Sequence, residues 1–234
     1  MRYLAAALAA VLSALFVPAP AAARAVPDAH GAPWPGGPVR TVGKVVSFLP
    51  GGVDRVCSGA LVDAPNGSVV ATAAHCINSP EEPRIPQETY FLPGFDDGPR
   101  SRPAIRKAGW KVRRAWPAPG WDVDRPLQKI LPHDWGFLVL ARRDGRTAQA
   151  AFGANRLRFG AAARARRPDR LLALGYPAAS PFDGETLQYC AGGVTVADRP
   201  EANAGDFVLS PCGLTQGASG GPWLTGFDPD DETG

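Results

Sequence analysis

The sequence holds three histidines, and only one stands in a setting that suits proton transfer. His30 lies in a Pro/Gly stretch with no fixed surroundings, and His133 directly precedes Asp134, where a turn or surface role is the default. His75 ends a β-type run, "SVVATAAHC", with small residues before it and Cys76 behind it. Ser219 is the matching hydroxyl. In "GASGGP", Gly217, Gly220 and Gly221 let the chain turn sharply and let a carbonyl group approach main-chain N–H groups. The N–H groups of Gly217 and Ser219 would then converge on a developing oxyanion. Asp134 opens the apolar run "DWGFLVL", which would carry its carboxylate inward to accept a hydrogen bond from the His75 ring. Asp122 and Asp124 sit in a Pro/Gly loop with no such run behind them, and Asp63, Asp96 and Asp97 read as turn residues. A hydroxyl, a base and an orienting carboxylate are the parts of nucleophilic acyl transfer.

Taken alone, "GASGG" also describes a glycine-rich hairpin with an incidental serine, or the G-x-S-x-G elbow of α/β-hydrolases. Chain order separates the two enzyme readings. Elbow enzymes run Ser, then acid, then His, whereas no histidine follows Ser219. The order here is His75, Asp134, Ser219, and strand–helix alternation is absent.

Elements able to position such a set are visible as short β-type runs between turn signals. "TVGKVVSFL", "RVCSGALV", "SVVATAAHC", "AIRKAGWKVRRAW" and "DWGFLVLAR" fill the first half; "RLLALGYP", "TLQYCAGGVTV", "DFVLSPC" and "GPWLTG" fill the second. Many short strands separated by Pro and Gly clusters predict an all-β sandwich or barrel. One plausible helical stretch, "AFGANRLRFGAAARARR", falls between the halves. The predicted organisation is a signal peptide at 1–23, a Pro/Gly-rich leader at 24–38, a first β unit at 39–145, a basic connector at 146–170 and a second β unit at 171–234. The signal rests on Arg2, the apolar run Leu4–Val17 and the small residues Ala21–Ala23. Pro18 and Pro20 end that run too early for a membrane span. Export to the extracellular medium follows, with no membrane attachment once the signal is removed.

A formal net charge of +3 gives no electrostatic case for a nucleic-acid partner. The arginines between Arg156 and Arg170 have too few aromatics among them for a base-stacking platform and read as a solvated connector. Four cysteines in an exported chain point to disulfides. Of three possible connectivities, local pairing, Cys57 with Cys76 and Cys190 with Cys212, is preferred on proximity. No CxxC spacing occurs and no histidines are spaced as ligands, so neither a metal nor a cofactor is expected.

"TAAHC", "DWGFLVL" and "GASGGP", in that order and with "CSGALV" at Cys57–Val62, resemble the trypsin/chymotrypsin-like serine peptidases, over about Thr41 to Gly226. The details look most like exported bacterial members, the glutamyl-endopeptidase-like branch included. The resemblance implies two antiparallel β-barrels with the active site in the cleft between them, an endopeptidase acting on polypeptides, and a monomer. It implies His75, Asp134 and Ser219 as the catalytic set, Gly217 and Ser219 as the oxyanion hole, and Gly213, Leu214, Thr215 and Gln216 as part of the substrate pocket. Two departures stand out. Ala218 replaces the aspartate that digestive members pair with a new N-terminus, and no "IVGG"-like start is present. Gly213 replaces the aspartate that gives trypsin-like members their basic preference. A binding or adhesion protein on the same fold is the competing reading. Because few residues follow Ser219, the second barrel is expected to lack its last strands, and an inactive truncated product is a third reading.

Overall fold

The computed structural model describes residues 26–52, 54–81, 86–159, 170–196 and 207–234. The predicted signal peptide and residues 160–169 of the basic connector lie outside these residues. In chain order the strands are β1 (Ala29–Pro33), β2 (Val42–Phe48), β3 (Asp54–Val62), β4 (Val69–Thr72) and β5 (Glu88–Pro93). Helix α1 (Arg102–Ala108), strand β6 (Trp110–Pro117), helix α2 (Leu127–Ile130), strand β7 (Gly136–Leu140) and helix α3 (Ala148–Phe152) follow. The second half contributes β8 (Arg170–Gly175), β9 (Gln188–Val196), β10 (Phe207–Leu209) and β11 (Trp223–Leu224).

Six strands close an antiparallel barrel in the order β2-β3-β4-β7-β6-β5. Its interior is filled by Val45, Leu61, Val70, Phe91, Trp110, Leu138 and Leu140. Strand β2 is buried along its whole length, because it has a core on each face. Val45 points into the barrel, while Val42, Val46 and Phe48 pack outward with Leu172, Leu174, Tyr176 and Tyr189 of the second unit. A strand walled on both sides must be apolar on both sides, and "VGKVVSF" is that kind of run. Its one lysine, Lys44, is buried and reaches Glu185 of the second unit at 3.2 Å.

The second unit is a five-stranded antiparallel sheet in the order β1-β9-β8-β11, with β10 also paired to β9. Among the described residues this sheet is open, with β1 and β11 at its ends. No helix of the described residues is long and apolar enough to cross a membrane.

Three expectations change. The Pro/Gly-rich leader reads as a stretch with no fixed surroundings, yet Ala29–Pro33 pairs with β9. Trp34 donates its backbone N–H to the Leu187 carbonyl at 2.9 Å and sets its ring edge-on against Tyr189 and Phe227. Edge pairing needs main-chain groups rather than hydrophobic periodicity and tolerates proline, so the pattern carried no signal. His30 accordingly has fixed surroundings, its carbonyl accepting from Gly213 N–H at 2.8 Å. Secondly, "AIRKAGWKVRRAW" is not one strand: Arg102–Ala108 is helical, and Ser101 Oγ accepts from Ala104 N–H at 3.4 Å as the N-cap. A capping serine and a proline in the first turn outweigh a β-type reading of so short a segment. Thirdly, the helix between the halves is the short Ala148–Phe152, ended at Gly153 with φ +83°. The described residues 154–159 are not helical.

Candidate active site

Strand β4 ends at Thr72 and the chain enters a single 3-10 turn, Ala74–Cys76, that carries His75. The Cys57–Cys76 disulfide, with Cα atoms 6.1 Å apart, pins this turn to β3. Asp134 caps the 3-10 turn Leu131–His133 just before β7. The pairing of Thr72 with Gly136 brings the two segments together. Asp134 then meets His75 twice. Oδ2 lies 2.7 Å from the ring Nδ1, and Oδ1 accepts the His75 backbone N–H at 2.9 Å. A carboxylate only accepts, so Nδ1 carries the ring proton and Nε2 keeps its lone pair. Burial pushes the Asp134 carboxyl up, but hydrogen bonds from the His75 ring and backbone outweigh it and hold the group below the ordinary aspartate value.

The segment that carries Ser219 is held differently. Thr215 O accepts Ala218 N–H at 3.2 Å, and Gln216 O accepts Ala178 N–H at 2.6 Å. Gly217 O accepts the Ser58 hydroxyl at 2.8 Å. Ala218 O accepts Gly221 N–H at 3.0 Å, and Ser219 O accepts Ser58 N–H at 2.8 Å. Five successive carbonyls are therefore anchored. In a planar trans peptide the N–H points opposite to the carbonyl. Anchoring Gln216 O and Ala218 O thus fixes the directions of the Gly217 and Ser219 N–H groups. Among the described residues those two N–H groups have no acceptor. Gly217 has φ +101°, and a Cβ there would stand 2.6 Å from Tyr176 O. Gly220 has φ +80°, and a Cβ there would collide with Thr72 Oγ1 and stand 2.6 Å from Ser58 O. Only glycine fits either place.

His75, Asp134 and Ser219 line one cavity of about 570 Å³, with Leu171, Phe207, Trp223 and Leu224 among its apolar walls. Gly213, Leu214, Thr215 and Gln216 do not line this cavity. Gly213 N–H donates to His30 O at 2.8 Å, and Thr215 Oγ1 donates to Ala179 O at 2.8 Å. The second disulfide, Cys190–Cys212, with Cα atoms 5.6 Å apart, anchors the start of that segment to β9. Cys57, His75 and Cys76 bring potential ligand atoms within 4.8 Å of one another. Both sulfurs are spent in the disulfide, so the group offers a metal no thiolate. Sequence reasoning missed Ser58 and Ala178. "CSGALV" displays the serine, but nothing in a sequence pattern says which distant carbonyl a hydroxyl will meet.

The trypsin-like peptidase domain family matches residues 57–227. Among solved structures, the protease Anisep from Arthrobacter nicotinovorans is 30% identical, with a TM-score of 0.63 over 84% of this chain and 81% of its own. The thermostable serine protease AL20 from an extremophilic microorganism is 32% identical, with a TM-score of 0.64 over 80% and 79% of the two chains. A Glu endopeptidase, 14% identical with a TM-score of 0.58 over 86% and 82%, shares the fold. No curated protein is matched by sequence. The closed barrel and second sheet match the chymotrypsin-like two-barrel architecture. On the family match and on relatives that share nearly a third of its residues, the chain belongs to the trypsin-like peptidases and is a serine-type endopeptidase.

Proposed function

We propose that this chain is a secreted endopeptidase that cleaves polypeptides through His75, Asp134 and Ser219 and an acyl-enzyme intermediate. The observation that carries the reading is the double hydrogen bond of Asp134 to His75, beside a cavity that His75 shares with Ser219. Ser219 Oγ attacks the scissile carbonyl while His75 Nε2 takes its proton. The carbonyl oxygen becomes an oxyanion, received by the acceptor-free N–H groups of Gly217 and Ser219. Collapse breaks the C–N bond, and the proton on Nε2 passes to the departing amine. Water, deprotonated by the same nitrogen, then hydrolyses the Ser219 ester and restores the hydroxyl. Asp134, held ionised by its hydrogen bonds, fixes the tautomer and stabilises the imidazolium without taking its proton. Two disulfides fit an oxidising compartment, as does the signal-like segment at 1–23.

Expression of wild type and Ser219→Ala in a secreting host, with a fluorophosphonate probe applied to medium and cells, tests this directly. Wild type labels, in the medium, and cleaves casein. Ser219→Ala does neither, with kcat down by about a millionfold. Undiminished labelling of the variant removes Ser219 from its role, and label confined to cells removes export.

A further inference from the structure

Ser58 is fully buried in β3, yet every polar group it owns is engaged with a segment that builds the site. Its hydroxyl accepts Tyr176 N–H at 2.9 Å and donates to Gly217 O at 2.8 Å. Its backbone N–H donates to Ser219 O at 2.8 Å, and its carbonyl accepts from Thr72 Oγ1 at 2.8 Å. One residue of the closed barrel thus grips the start of the loop after β8 and two carbonyls of the Ser219 segment. The hydroxyl proton has one destination. Tyr176 can only donate through its N–H, so the Ser58 hydrogen goes to Gly217 O.

We propose that Ser58 is a positioning residue for the oxyanion-binding peptides. Gly217 lacks a Cβ, so its peptide bonds rotate with little steric resistance. Without an anchor on Gly217 O, the peptide joining Gly217 to Ala218 keeps only the Ala218 N–H bond to Thr215 O at 3.2 Å, and that carbonyl can turn toward the cavity. A carbonyl dipole there opposes an oxyanion instead of receiving it. The Ser58 hydroxyl holds it on the far side, against the barrel, and keeps Gly217 N–H and Ser219 N–H directed together. A residue without a hydroxyl would also leave a buried carbonyl and a buried N–H unpaired. Ser58 touches no substrate and acts only through Gly217 and the neighbouring main chain. The inference rests on the endopeptidase reading above.

The test uses the full chain as Ser58→Ala, Ser58→Gly and Ser58→Thr, with steady-state hydrolysis of a peptide amide and binding of a peptide boronate, whose adduct mimics the tetrahedral oxyanion. Removing a direct oxyanion donor costs about 10²–10³ in kcat. Loss of the anchor behind the donors is expected to cost about tenfold to a hundredfold in kcat and the same factor in boronate affinity, less than that direct loss. KM, inhibition by a non-covalent product peptide and the pH midpoint of kcat/KM stay as in wild type, because the His75–Asp134 pair is untouched. Ser58→Thr keeps the hydroxyl and recovers most of the loss. Should the alanine protein not fold, Ser58→Gly admits a water at the vacated place and is read the same way. A folded Ser58→Ala with unchanged boronate affinity overturns the proposal, as does a variant that raises KM alone. Wild type that neither cleaves peptide nor binds the boronate overturns the endopeptidase reading and this inference with it; active wild type beside an indifferent Ser58→Ala overturns the inference alone.

Discussion

The two halves of the proposed active site are built by opposite means. His75 and Asp134 come from one closed barrel and are joined side chain to side chain and side chain to backbone. Ser219 comes from the second unit, whose sheet is open among the described residues, and its segment is fixed by carbonyls, two of them anchored on Ser58 of the other unit. Each half carries a disulfide at its chain junction, Cys76 directly after His75 and Cys212 directly before Gly213. The difference teaches where each half is vulnerable. The first fails when one ionisable pair is broken. The second is largely indifferent to side-chain charge and fails when a backbone peptide is free to turn.

Breaking the first half is expected to have the largest effect. Asp134→Asn keeps the shape but offers an amide N–H where an acceptor is needed, and so stabilises the wrong His75 tautomer. A fall in kcat of about 10⁴-fold is expected, measured beside thermal melts that show the variant folded at neutral pH. A loss smaller than about tenfold would mean that the His75 backbone bond alone orients the ring, against the size seen when triad carboxylates are replaced. The same variant tests acid stability. The Asp134 carboxyl titrates below its ordinary value in the folded chain, while the unfolded chain titrates near about 3.9. Its contribution is therefore complete above about pH 4 and is lost as pH falls through the lower folded value. Wild type should lose stability in that acid window more steeply than Asp134→Asn; equal slopes would remove the pair from the account.

The contrast also explains what the sequence made legible. His75, Asp134 and Ser219 announce themselves because each stands at the end or start of a recognisable run, and side-chain identity is what a sequence records. The barrel strands were legible from their apolar runs, β2 most of all because it is walled on both faces. The second half hid more. Strand β1 is held by main-chain bonds in a Pro/Gly stretch, and the anchors on Gln216 and Gly217 come from residues distant in sequence. No run in the sequence marks the apolar cavity walls Leu171, Phe207, Trp223 and Leu224 as neighbours of Ser219. Pocket walls depend on how distant segments meet, and local spacing does not encode that.

A core substitution separates the barrel from the chemistry it supports. Leu61 is fully buried among the barrel side chains. Leu61→Ala should cost about 2–5 kcal/mol of stability through lost burial and a residual cavity. Rate per active site, counted by phosphonate titration, should hardly change, because the hydrogen bonds that orient His75 and anchor Ser219 are not made by Leu61. Denaturant melts with active-site titration check both numbers. A parallel fall in rate per site would show that the closed barrel is not the rigid base that the comparison takes it to be.

The smallest effect belongs to the surface link between the first unit and the far end of the second. Glu232 accepts from Arg40 backbone N–H at 2.7 Å and Arg40 Nε at 3.0 Å, and its own carbonyl accepts from Thr41 Oγ1 at 2.6 Å. The Arg40 side chain is 57% exposed, so water and salt screen the ionic part. Glu232→Gln retains an oxygen for the Arg40 backbone and leaves the Thr41 bond untouched, removing the charge alone. The expected loss is about 0.2–1 kcal/mol, read as a small drop in Tm at low salt that vanishes in concentrated salt. A larger, salt-independent loss would mean that the Glu232 carboxylate shapes the segment after β11 rather than decorating it. The two units would then depend on that contact as they depend on the Ser58 grip.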